Sequence, residues 1–122
     1  MRYLQIGVLA ILVAAFAAAG LGKLIDPAMF HDQFARFGLP DWFVYLTGAI
    51  EVSGAALLAS FNATLRRLGA GVLAVTMAAA GTLHLLHDPF ALAFPALILM
   101  ALAAWTALVP LRTGVARQPA HA

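Results

Sequence analysis

Hydrophobic residues fall along the chain in four long runs, near 3–25, 43–61, 68–86 and 90–109, and polar residues gather in the short gaps between them. Each run approaches the roughly 20 residues that a helix rising ~1.5 Å per residue needs to cross ~30 Å of hydrocarbon. The pattern predicts an all-α protein, a bundle of four transmembrane helices forming a single membrane domain over 1–122.

The longest gap has a period of its own. Phe30, Phe34 and Phe37 recur at helical spacing while His31, Asp32 and Arg36 take other faces, so residues 27–37 form a short amphipathic helix between the first and second spans. Asp26-Pro27 reads as its start, with Asp as cap and Pro at the first helical position, and Gly38 with Pro40 as its stop. Such a helix lies on the outer membrane surface, the simpler reading, or folds as a lid over the bundle. Trp42 and Tyr45 fall where an interfacial aromatic belt belongs. Asn62, Thr64, Arg66 and Arg67 make the turn between the second and third spans. His87-Asp88-Pro89 repeats the start signal ahead of the fourth span, in which Pro95 removes a backbone hydrogen bond and predicts a kink. Residues 111–122 read as a frayed polar tail.

Composition sharpens this picture. The chain is 64% hydrophobic and 10% charged, where a soluble domain carries about 25% charged residues, so almost nothing remains for a soluble domain. Arg2 and the apolar run ending in Ala17, Ala18, Ala19 and Gly20 resemble a secretory signal, but the spans that follow favour a first transmembrane helix. The absence of cysteine excludes disulfide exchange, thiolate nucleophiles, iron–sulfur clusters and thiol-based zinc sites within this chain. A formal net charge of +2 and a pI near 9.7 raise nucleic acid as a partner. The basic residues form no patch beyond Arg66-Arg67, however, and fit better as orientation signals. Arg2, Arg66, Arg67, Arg112 and Arg117 fall on one side and Lys23 and Arg36 on the other. The positive-inside rule then predicts a multi-pass protein of the cell (inner) membrane with both termini cytoplasmic.

Candidate chemistry centres on Glu51, the one carboxylate inside the second run. An acid at mid-membrane depth costs roughly 2.5–3.5 kcal/mol on insertion scales, so it faces the bundle interior and has a partner or a task. Its neighbours one turn away are Thr47, Gly48, Gly54 and Ala55, small residues that let another helix approach. Side chains lean toward the N-terminus of their helix. Lys23 of the first span and His84 of the third therefore lean into the membrane while Glu51 of the second leans up to meet them. This predicts a polar pocket in the outer half of the bundle, with Lys23 and Glu51 paired and His84 beside them. Glu51 and His84 are the candidate acid–base residues, and Lys23, Glu51, His84 and His87 the candidate ligand-binding set. The simpler reading is a buried ion pair that only fixes helix register. A metal held by His84, His87 and Glu51, with His31 from the short helix, finds no supporting ligand spacing, and no metal is expected.

Two stretches resemble each other: AAGLGKLIDP at 18–27 and AAGTLHLLHDP at 79–89, which align Lys23 with His84 and Asp26-Pro27 with Asp88-Pro89. A duplication would make the protein two helical hairpins with a ligand site at their interface.

The segments AAGLGKLIDPAMF, FARFGLP and GAIEVSGAALL, the arginine pair before the third span, and TLHLLHDP before the fourth resemble the DoxX-like family of small four-helix membrane proteins. The family is similar to the membrane subunit of a thiosulfate:quinone oxidoreductase. The resemblance therefore implies a redox-linked role near the quinone pool, quinone as the expected ligand, and a soluble or membrane oxidoreductase subunit, or further copies of the chain, as partners besides the bilayer. It also implies that Lys23, Glu51 and His84 occupy recurring family positions. A proton-coupled small-molecule transporter and a non-catalytic assembly partner are the alternatives.

Overall fold

The computed structural model describes residues 1–111, and Arg112, Arg117 and the rest of the expected tail lie outside the described residues. Five helices follow in order: α1 (Arg2–Ile25), α2 (Ala28–Arg36), α3 (Trp42–Leu58), α4 (Ala63–His87) and α5 (Phe90–Leu108). Among the described residues all regular structure is helical, and α1, α4 and α5 are each long and apolar enough to cross a membrane. At 17 residues, α3 is the shortest of the four long helices, about 25 Å at the standard rise and at the lower limit for a span. The protein is a helical membrane bundle.

Helix boundaries differ from the hydrophobic runs where capping overrides hydropathy. The third run begins at Leu68, yet α4 begins at Ala63, because the Asn62 side chain accepts from the backbone N–H groups of Thr64 and Leu65 at 2.9 and 3.1 Å. Arg66 and Arg67 therefore stand on a helix and not in a turn. The Arg67 Nε–H donates to the Ala107 carbonyl at 2.8 Å, a cation set against the last carbonyls of α5. The Asp-Pro start signals also act otherwise than expected. Neither α2 nor α5 has a side-chain cap, and Asp26 and Asp88 close the preceding helices α1 and α4. α2 does stop at glycine: Gly38 adopts φ +77, and the N–H groups of Gly38 and Leu39 donate to the carbonyls of Ala35 and Phe34. This is a Schellman closure, which needs the left-handed residue that glycine supplies.

α1 packs on α3, α3 on α4 and α4 on α5, with a lighter contact between α5 and α1. Gln5 at the start of α1 donates to the Pro110 carbonyl beyond α5, and Arg67 near the start of α4 reaches Ala107, so the start of α1, the start of α4 and the end of α5 lie on one side. Past a small cavity of about 250 Å³ between Gln5, Arg66 and Trp105 at that end, the middle of the bundle is tight. Leu12, Phe16, Leu58 and Leu73 are wholly or almost wholly buried, and a Cβ on Gly69 of α4 would lie 2.9 Å from the Gly54 carbonyl of α3. In lipid the force between helices is close packing more than exclusion of water, so such backbone contacts are what set the approach. Toward the opposite end the helices part, and α2 lies over the opening.

Candidate functional site

The space left between the parted helices is a cavity of about 480 Å³ that takes lining residues from all five helices. Its walls are apolar, built from side chains such as Phe16, Ile50, Met77 and Pro95, and Phe34 of α2 and Phe37 at its C-terminal cap close it from above. α2 is therefore a cover over the cavity: its Phe34 is buried and its amphipathic face turns inward. Lys23, Glu51 and His84 all line this one cavity.

The Lys23–Glu51 contact follows from the way α1 meets α3. A Cβ on Gly20 would stand 2.8 Å from the Gly48 carbonyl, and one on Gly48 would stand 3.0 Å from Cβ of Lys23. Only glycine at both positions lets the two backbones touch one turn below the lysine. From that approach Lys23 Nζ reaches Glu51 Oε1 at 2.9 Å, with side-chain exposures of 13% and 3%. The ammonium also lies 4.9 Å from the centroid of the Phe30 ring, so the underside of α2 covers the pair. Taking both charges out of water is costly, and their attraction recovers that cost only in good geometry. The pair is well formed but is not evidence of stability by itself.

His84 is held differently. Its Nδ1–H donates to Asp88 Oδ2 at 2.8 Å, and the other carboxylate oxygen of Asp88 meets the Arg36 guanidinium of α2 at 3.3 Å. Asp88 is 3% exposed and is the buried centre of this second cluster. The Phe37 ring stands edge-on to the His84 ring, with centroids 5.1 Å apart. Asp88 and Arg36 were absent from the candidate set because Asp-Pro reads so readily as a helix cap. The signal that points to Asp88 is its i, i+4 spacing from His84, which puts a carboxylate one turn beyond an imidazole.

His87 does not join the cavity. It is exposed, and its Nδ1–H donates to the Leu83 carbonyl of its own helix at 2.9 Å while its ring meets the far side of the same Phe37 contact, centroids 5.5 Å apart. The local carbonyl, one turn back, satisfies the imidazole and holds it along the helix. No group of three or more His, Asp or Glu side chains among the described residues is arranged to hold a metal ion.

A family model, that of the DoxX-like family, matches residues 7–106. The chain belongs to the DoxX-like family. No curated protein and no solved structure matches it significantly. Within this DoxX-like protein the matched range takes in all four long helices, the cover helix and both polar clusters. It places the molecule among membrane proteins, and the chemistry of the site has to be argued from the side chains.

Proposed function

We propose that this DoxX-like protein binds an apolar small molecule with a polar end, of the quinone type, inside the outer half of the bundle, and serves as the membrane component of a redox system. The observation that carries the proposal is the buried Lys23–Glu51 pair facing, with His84, a cavity whose remaining walls are apolar. Two charges and an imidazole are more than helix register requires, and sites for small molecules are typically apolar pockets with a few convergent polar groups. Leu46 and Leu92, which line the cavity, are also exposed on the lipid-facing surface, so the occupant enters sideways from the bilayer. The packed layer of Leu12, Phe16, Leu58 and Leu73 beneath favours a binding chamber over a path through the membrane.

In this reading Glu51 and His84 exchange protons with the ligand and Lys23 holds the Glu51 charge in place. The protein lies in the inner membrane with Arg2, Arg66 and Arg67 on the cytoplasmic side and α2 on the outer side, and an oxidoreductase subunit completes the electron transfer. The test is photo-crosslinking of the full chain in nanodiscs with an azido short-chain benzoquinone. Labelled peptides around Phe37, Leu46 and Pro95, lost in Glu51→Gln at a temperature where the variant keeps wild-type helicity, support the proposal. Uniform labelling of lipid-facing positions, or undiminished labelling in the Gln variant, sinks it.

A further inference from the structure

The second cluster bears on which molecule the cavity takes, and this inference rests on the reading of the cavity as a ligand site. Asp88 is engaged at both carboxylate oxygens, Oδ1 in the ion pair with Arg36 and Oδ2 accepting from His84. An ionised carboxylate has no hydrogen to give, so the shared proton of the His84 contact sits on Nδ1. In the neutral imidazole the remaining nitrogen, Nε2, is then an acceptor, and it makes no hydrogen bond within the described residues. We infer that Asp88 sets the hydrogen-bonding sense of the site: it holds His84 with Nε2 as an acceptor toward the cavity, so the preferred occupant carries a hydroxyl donor on an apolar body, of the phenol or hydroquinone class.

Lys23 supplies donors to a carbonyl or a hydroxyl oxygen alike, so discrimination between an oxidised and a reduced ring falls to His84. Asp88 acts through His84 and is a positioning residue. Arg36 gives it direction. With the guanidinium donating to one oxygen, Asp88→Asn must turn its single carbonyl oxygen toward Arg36 and its NH2 toward His84. That NH2 donates to Nδ1, which must then carry no hydrogen; the ring hydrogen moves to Nε2, and the acceptor facing the cavity becomes a donor. The Asn variant is thus expected to reverse the preference of the site and not merely to weaken it.

The first measurement needs no variant. Nitrogen-15 NMR of the histidine side chains of the full chain in nanodiscs, above the pH at which the ring is protonated, is expected to show His84 with hydrogen on Nδ1, and Asp88→Asn to show it on Nε2. A wild-type ring protonated at Nε2, or exchanging evenly between the two forms, overturns the inference whether or not the variant folds. The second measurement compares binding of a short-chain hydroquinone and its matching quinone under anaerobic conditions. The wild type is expected to bind the hydroquinone about five- to tenfold more tightly, the ratio one hydrogen bond supplies, and Asp88→Asn to bind the quinone more tightly. Equal affinities, or the same order in both proteins, overturn the role of Asp88 while leaving the cavity as a site. Binding of neither molecule by the wild type overturns the proposed function itself.

Discussion

The two polar clusters of the cavity are built from corresponding stretches of chain and are neutralised in different ways. Lys23 and His84 occupy matching positions near the ends of α1 and α4, each three residues after a glycine, Gly20 and Gly81, that contacts the following long helix. Gly20 packs against Gly48 and Val52 of α3, and Gly81 against Leu97 of α5. Beyond that point the likeness ends. Lys23 finds its acid on a neighbouring helix, Glu51 of α3, whereas His84 finds Asp88 one turn along its own chain, with Arg36 of the cover helix on the other oxygen. Two hairpins with one shared pattern thus hold their bases by a tertiary contact in one case and a local contact in the other. Both acids are buried to the same degree, but the second cluster has one exposed member, Arg36, that can fall back on water, while the Lys23–Glu51 pair has none.

That difference orders the expected effects of substitution. Lys23→Met or Glu51→Leu alone leaves one charge buried without a partner and is expected to lower stability by about 3–5 kcal/mol. Combining them should restore most of the loss, and unfolding in mixed micelles across the double-mutant cycle measures it. If the single variants are nearly neutral, the interior pair is no more demanding than the rim pair. Gly20→Val, which drives a side chain into the Gly48 carbonyl and the Val52 N–H, should cost about 2–3 kcal/mol through overpacking of α1 on α3. Engineered cysteine pairs across α1 and α3 would then crosslink more slowly.

At the rim the consequences shrink. Asp88→Ala strips His84 and Arg36 of their shared acceptor, but Arg36 is 54% exposed and rehydrates. The expected loss is about 1–2 kcal/mol, read by the same unfolding assay. Arg36→Ala should cost about 1 kcal/mol, because Arg36 itself is 54% exposed and Asp88 keeps its contact with His84. Its clearer signature is faster hydrogen exchange in α2 than in α3, because the cover helix loses a charged contact to α4.

Much of this architecture was legible in the order of residues. Four apolar runs long enough to cross a bilayer, and a phenylalanine period too short to do so, leave few alternatives to a bundle with one short amphipathic helix, read more simply as lying on the membrane surface than as the cover it proves to be, because backbone in lipid must satisfy its own hydrogen bonds. The Lys23–Glu51 contact was legible too, since helical side chains lean toward their N-termini and the residues one turn to either side of Glu51, Gly48 and Gly54 among them, are small. What reading along the chain missed was the service of Asp88. Asp-Pro is a common helix start, and nothing local says that the aspartate closes α4 and turns back to His84. The start of α4 at Ala63 was hidden for a similar reason: charged residues break a hydropathy run without breaking a helix.

The sequence alone determined that the chain is helical, that it lives in a membrane, and that Glu51 must be turned inward, because an ionised group in hydrocarbon has so few tolerable surroundings. Only the tertiary structure decided that α2 folds inward over a cavity, that His84 shares that cavity while His87 stands outside it, and that Arg36 from one helix and His84 from another meet on Asp88. Those outcomes depend on where four helices part by a few ångströms, and spacing along a single helix carries no information about the gap to the next.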